Sequence, residues 1–311
     1  MIRAAALAAA LGWAAFMPGA HAGDAPKLKS AAALIVDAET GEVLYDKNAA
    51  AVVPIASITK LMTAVVVLDA GLPLDAPIEI TREDLANTRS ARSFTPLNRG
   101  ITLTRDDLLR LALMASQNRA AAALGRAYPG GMEAFVQAMN DTAAELGMND
   151  TRFVEPTGLS SENVSSAADL AKLVIAARGY PLISEYSTAP SAEVRLGRRN
   201  VRFVNTNTLV RNASWEIGIS KTGFIRRAGR CLVMEASMSA RSVVIVLLDS
   251  VGKYTRIGDA NRIRKWLDEL GEPTPVGATR MGAAAARVAA RRQAAAAEGH
   301  IGIKLQAPTL R

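Results

Sequence analysis

The stretch from Ser57 to Gly71, SITKLMTAVVVLDAG, constrains the fold more than any other part of the chain. Its length, with Pro54 before it and Gly71 to close it, predicts a helix with Ser57 at its first turn. Apolar residues occupy nearly every face of that helix instead of one stripe, so it has no side to offer to water and belongs inside a domain. Other elements must wrap around it. A chain of 311 residues, half of them hydrophobic, carries enough apolar material for one sizeable domain with a small appendage.

The surrounding elements follow from pattern. Ala32 to Asp37 and Glu42 to Asp46 are extended runs around Glu39-Thr40-Gly41, which reads as a β-hairpin. Ile78 to Thr81 is short and extended, and the polar stretch Thr88 to Gly100 is a loop. Thr104 and Asp107 form a capping box that opens the next helix, and further helices are expected over 119–126, 132–146 and 166–177. Three strand-like runs follow, Trp215 to Ser220, Cys231 to Ala236 and Val243 to Asp249, and then a helix over 257–270. Strands at both chain ends with helices between them predict a mixed α/β (α+β) domain, with a mainly antiparallel sheet flanked by helices and an inserted helical region.

Both termini read as something other than domain. Arg3 followed by the apolar run Ala4 to Met17 and by Ala20-His21-Ala22 has the form of a secretory signal over residues 1–22, with Gly23 as the first mature residue; the run is shorter than the ~20 apolar residues a membrane span needs. Residues 272–311 are rich in Ala and Arg and predict a flexible or weakly helical tail, which leaves 23–271 as the folded domain. The net charge is +8, and from Gly271 onward six basic residues stand against two acids, so about half of the surplus lies in the tail. Such a balance favours anionic partners, a cell wall or a membrane face, held loosely through the tail. No aromatic-plus-basic stripe supports nucleic-acid binding.

The two histidines are His21 and His300, one in the leader and one in the tail, and Cys231 is the only cysteine. A Ser-His-Asp triad, a His-rich metal site and an internal disulfide are therefore excluded from the domain, and Cys231, in an apolar run, reads as a small core residue. A serine nucleophile here needs another base. Ser57 and Lys60 offer one, because residues three apart on a helix share a face with Cβ atoms about 5–6 Å apart. Burial or a neighbouring cation favours neutral Lys60, and orphan N–H groups at the helix start suit a developing oxyanion. The spacing is common by itself: Ser250-Val-Gly-Lys253 matches as well, but it follows a strand and opens no apolar helix. Ser116-Gln117-Asn118 lies between two helical runs, with a competing Ser161-Glu162-Asn163 in a loop, and spacing alone leaves both open. Lys221-Thr222-Gly223 occurs once, after the strand run ending at Ser220, and suits a carboxylate.

Taken together and in order, Ser-x-x-Lys, Ser-x-Asn and Lys-Thr-Gly resemble the signature of penicillin-binding proteins and serine β-lactamases. PIASITKLMTAVVVLDA, LALMASQNRAAAAL, FVEPTGLSSENVSSAADL, NTNTLV and ISKTGF resemble blocks of the low-molecular-weight D-alanyl-D-alanine peptidases, most of all their endopeptidase branch, the penicillin-binding protein 7/8 type. The resemblance covers about residues 32–270. It implies the DD-peptidase/β-lactamase-like fold and assigns Ser57 as acylated nucleophile and Lys60 as its proton acceptor. Ser116, preferred over Ser161 by the same resemblance, would relay a proton to the leaving amine. Asn118 would hold Lys60 and the substrate amide, and Lys221 and Thr222 the substrate carboxylate, with Gly223 allowing close approach. The N–H groups of Ser57 and Phe224 would form the oxyanion hole. It implies peptidoglycan peptides as substrate, β-lactams as covalent inhibitors, a periplasmic setting and no cofactor. A β-lactamase is disfavoured by the absence of Glu-x-x-Leu-Asn in the loop that begins at Glu155, and a non-catalytic wall-binding module by the complete residue set. The short tail, in place of the β-rich second domain and anchor helix of carboxypeptidase relatives, favours endopeptidase over carboxypeptidase.

Overall fold

The computed structural model describes residues 25–86, 88 and 95–271. The chain begins with β1 (Ser30–Asp37), β2 (Val43–Lys47) and β3 (Val53–Pro54), a 3-10 turn at Ala56–Ile58, and α1 (Thr59–Asp69). It continues through β4 (Pro77–Glu79), α2 (Arg82–Ala86), β5 (Thr102–Thr104), α3 (Arg105–Met114), α4 (Asn118–Arg126) and α5 (Gly131–Glu145). Then come β6 (Val164–Ser165), α6 (Ala167–Ala177), α7 (Pro181–Thr188), β7 (Ser191–Leu196) and β8 (Arg199–Val204). Last are β9 (Glu216–Ile225), β10 (Gly229–Met238), β11 (Arg241–Ser250) and α8 (Thr255–Leu270).

Five strands form one antiparallel sheet in the order β2-β1-β11-β10-β9. The first and eleventh strands are neighbours, paired from Ser30↔Ser250 to Asp37↔Val243. Everything between β2 and β9 is thus an insertion that leaves the sheet and returns to its other edge, the expected arrangement. Alternation sorts the side chains of the buried strands. Leu34, Val36, Val244, Val246 and Leu248 face the inserted helices. Ala33, Ile35, Val243, Ile245 and Leu247 face α8, against Ile263, Trp266 and Leu267. A sheet covered on both sides explains why β11 reads as a continuous apolar run. In α1 every residue from Thr59 to Val67 is buried, as an all-round apolar helix requires.

The hairpin turns where expected: Asp37 Oδ1 accepts from the N–H groups of Glu39 and Thr40, and Gly41 takes φ +74°. Thr104 caps α3, its Oγ1 accepting from Asp107 N at 3.1 Å. Three expectations need correction. Ser57 sits in the 3-10 turn before α1 and not on its first α-helical turn. β9 does not stop at Ser220 but continues to Ile225, so Lys221-Thr222-Gly223 lies within a strand. That strand is the sheet's edge, where polar residues facing a cleft need no apolar partner and so resemble a strand end. Finally, α7 and the β7–β8 hairpin occupy a stretch to which the sequence pattern assigned no element. The hairpin buries Val194, Leu196 and Phe203 while its intervening residues are exposed and mostly polar. The leader and the tail both lie outside the described residues.

Candidate active site

Three elements converge at one end of the edge strand. The 3-10 turn brings Ser57, the α3–α4 junction brings Ser116 and Asn118, and β9 brings Lys221 to Phe224. Ser57, Ser116, Asn118, Thr222, Gly223 and Phe224 line a cleft of about 740 Å³. Lys60 and Lys221 lie beneath it, 0% and 1% exposed.

Lys60 Nζ stands 2.9 Å from Ser57 Oγ and 2.7 Å from Asn118 Oδ1, and it also meets the Thr157 carbonyl. Burial pulls its pKa down to about 7, against the opposing pull of the Glu155 charge. A neutral amine has two N–H donors and one lone pair. The two carbonyl oxygens take the donors, and the lone pair is left for the hydroxyl of Ser57.

Ser116 is held in the left-handed region at φ +54°, a conformation seldom adopted without glycine and characteristic of strained functional positions. Its Oγ accepts from Lys221 Nζ at 2.9 Å, and Lys221 also donates to the Thr222 carbonyl. Burial, with the charges of Lys60 and Arg256 adding to it, lowers the Lys221 pKa well below its ordinary value. Two lysines thus stand behind two serines across one cleft. Thr222 Oγ1 hydrogen-bonds Thr206 Oγ1 at 2.7 Å, and both residues line the cleft.

Gly223 is needed for this closeness. A Cβ there would lie 3.0 Å from Ile55 O and 3.2 Å from Ser57 N, so the edge strand approaches the nucleophile turn to the limit of contact. Phe224, the next residue of the strand, lines the cleft together with Ser57.

All eight residues expected at the site are brought together. The competing motifs are not among them. Asn163 is buried behind the site, donating to Thr59 Oγ1, Glu155 O and Glu155 Oε1. Ser250 bonds Ser30 inside the sheet at 2.6 Å, and Lys253 lies over the Tyr254 ring. Cys231 is a core residue whose thiol burial pushes up to about 11. Among the described residues no cluster of three or more His, Cys, Asp or Glu could hold a metal, and no helix is long and apolar enough to cross a membrane.

Sequence reasoning placed a loop at Glu155 but gave its Thr157 carbonyl no role. Glu155 closes it from within: Oε2 accepts from Thr157 N at 2.6 Å and Oε1 from Gly158 N at 2.7 Å. Gly158, at φ +76°, packs so tightly that a Cβ would sit 1.9 Å from Ala56 O. The signal was a glycine three residues after a carboxylate, too short a pattern to read without its distant partner.

The chain is similar to known proteins over most of its length. A family model described as D-alanyl-D-alanine carboxypeptidase (peptidase S11) matches residues 20–252. The D-alanyl-D-alanine endopeptidase of Pseudomonas aeruginosa is 50% identical over 252 residues, 80% of each chain. That of Escherichia coli is 48% identical over 253 residues, 81% of each chain. Among solved structures, the Streptomyces K15 DD-transpeptidase superposes with a TM-score of 0.73 at 27% identity, covering 78% of this chain and 98% of its own. A match across most of the length, from a nucleophile turn near its start to the last sheet strand, shows that this chain belongs to the peptidase S11 family of D-alanyl-D-alanine carboxypeptidases.

Proposed function

We propose that the protein is a periplasmic serine DD-peptidase that hydrolyses D-Ala–diaminopimelate cross-links of peptidoglycan through an acyl-enzyme on Ser57, and that penicillin inhibits it. The observation that carries this reading is the buried Lys60 amine, 2.9 Å from Ser57 Oγ with its donors already engaged.

As Ser57 Oγ attacks the D-Ala carbonyl, its proton passes to the Lys60 lone pair. The oxyanion faces the N–H groups of Ser57 and Phe224, aimed there before the reaction begins. Ser116 relays to the leaving amine the proton that Lys60 took from Ser57, which leaves Lys60 neutral again, and the hydrogen bond from Lys221 holds Ser116 in place. Lys221 and Thr222 hold the carboxylate beside the scissile bond, and Asn118 orients both Lys60 and the substrate amide. Water then attacks the ester with Lys60 as base, releasing the acyl product and Ser57. The Glu155 carboxylate is committed to backbone N–H groups of its own loop, so it is not free to activate a deacylating water. A β-lactam acyl-enzyme is accordingly long-lived.

The same pocket chemistry serves a carboxypeptidase, since diaminopimelate and D-Ala both present a carboxylate next to the amide. The roughly half-identical endopeptidases support the cross-link reading. Product analysis on purified cross-linked dimeric muropeptide tests it, with Ser57→Ala as control. Two monomers from the active protein alone are expected. Intact dimer with D-Ala released from pentapeptide would make it a carboxypeptidase, and neither product would leave a binding module. Rapid turnover of nitrocefin would overturn the inhibition by β-lactams. Export is tested by the mature N-terminus, expected at Gly23.

A further inference from the structure

Beyond Phe224 the cleft changes character. β9 ends at Ile225, and the turn into β10 carries Arg226 and Arg227, with Arg230 at the start of the returning strand. Arg226 lines the cleft beside Phe224, as does Arg256 at the start of α8. Arg230 pairs across the sheet with Phe224 and stacks on its ring at 4.5 Å. Phe224 is 56% exposed, a large aromatic ring left at the mouth of the site. Among the described residues, none of these four arginines has a carboxylate within ion-pair reach. Asp249, which packs against Gly229, is the acid of this end of the sheet, and it pairs with none of them. Arg256 is spent largely on the Gly223 and Cys231 carbonyls. Burial, and then the nearby Arg230 charge, lower its pKa. Beyond the ring stack of Arg230 and the carbonyl bonds of Arg256, no carboxylate among the described residues neutralises these charges, and an anionic ligand accounts for them.

The direction of the site says which part of the substrate reaches it. The carboxylate end is set by Thr222 and Thr206, and the attacked carbonyl lies between Ser57 and Phe224. The acyl side of the peptide therefore continues along Phe224, Ile225 and Arg226. Arg226 is the first residue of the turn after the strand, two residues beyond Phe224, and it lines the same cleft. An extended peptide docked on this edge places a side chain of the same face at the same step, two residues before the one whose carbonyl is attacked. We propose that Arg226 and Arg230, with the Phe224 ring as their floor, form an anionic subsite that reads a carboxylate at that position of the acyl-side peptide. The inference rests on the peptidase reading given above and deepens it: this enzyme selects acidic stem peptides over amidated ones.

The test uses two cross-linked peptide dimers identical except for a carboxylate or a carboxamide at that residue. At low ionic strength the wild type is expected to favour the acid by about five-fold in kcat/KM, through KM, with the preference fading in salt. In Arg226→Ala/Arg230→Ala the preference should vanish, while acylation by benzylpenicillin, whose acyl group is neutral, keeps its rate. Arg226→Lys/Arg230→Lys should retain part of it. No preference in the wild type, an unchanged preference in the double variant, or a parallel fall with both dimers and with penicillin would overturn the subsite. So would loss of binding to anionic lipid vesicles with peptide preference intact, which would make the cluster a surface-docking patch. If neither dimer is cut, the endopeptidase reading falls on its own. Calorimetric binding of the same two dimers to Ser57→Ala then decides the subsite separately.

Discussion

A lysine with no exposed surface in the first turn of an apolar helix is a cost that only its chemistry explains. The Lys60 pKa moves from 10.5 to about 7, chiefly through burial. The sign of the consequence follows from proton counts. Between about pH 7 and 10.5 the unfolded chain binds a proton at Lys60 that the native state does not, so stability rises with pH across that window, by about 5 kcal/mol in total at most. Thermal unfolding of wild type and Lys60→Met across pH 7 to 10 should differ by this slope, and parallel curves would refute the account of burial. The same group sets activity: acylation by benzylpenicillin should rise with pH through a midpoint near 7, as Lys60 becomes neutral. Lys60→Met should lose about 10³-fold in that rate. Glu155 is the charge that raises the Lys60 pKa, so Glu155→Gln should move the acid limb to lower pH; an unmoved limb would remove Glu155 from the electrostatics of the site. Ser57 and Lys60 were legible together because helix geometry fixes how far apart they are. The Thr157 carbonyl was not, because it arrives from 97 residues away and a backbone atom leaves no mark in composition.

At the scale of elements, the site depends on two places where backbone meets backbone. The 155–160 loop presses on the Ser57 turn at Gly158, and β9 presses on it at Gly223. Gly158→Ala puts a Cβ into Ala56 O and forces a side chain onto φ +76°, so the loop must withdraw and take the Thr157 carbonyl with it. A stability loss of about 2 kcal/mol and an acylation rate down at least ten-fold are expected from unfolding curves and penicillin labelling. Wild-type rates in this variant would show that the loop does not position Lys60. Gly223→Ala should be milder, since its nearest contacts, 3.0 to 3.2 Å, need to give by only a few tenths of an ångström. Elements with a local signature were readable: Thr104 and Asp107 announced α3, and Glu39-Thr40-Gly41 announced the first hairpin. The extent of β9 was not, because whether a polar residue ends a strand or lines a cleft depends on what stands opposite. The β7–β8 hairpin hid behind its arginines, although Val194 and Leu196 alternate as a strand should.

For the whole molecule, the decisive fact is that the two ends of the domain meet. β1 lies against β11, and Asp259 of α8 binds the entering chain, its carboxylate accepting from Lys29 N, Ser30 N and Ser30 Oγ. Burial opposes the charge, but these bonds and Arg262 outweigh it and hold the Asp259 pKa below its ordinary value. Asp259→Asn should therefore lower stability by about 2 kcal/mol at neutral pH, with the difference shrinking as acid protonates the wild-type carboxyl. A domain closed in this way is expected to hold without the segments outside it. The sequence pattern set that domain at 23–271, because the apolar periodicity ends with α8 and the Ala/Arg composition begins. Deleting 272–311 should then leave the melting temperature and penicillin acylation unchanged. It also removes about half of the net charge of +8. Since exposed charges act through a screening length of about 8 Å at physiological salt, the full chain should sediment with purified peptidoglycan sacculi at low ionic strength and be released as salt is added. The truncated chain should sediment less at every salt concentration. If the two curves superpose, the tail is not the attachment, and the arginine-lined end of the catalytic cleft becomes the place to look for it.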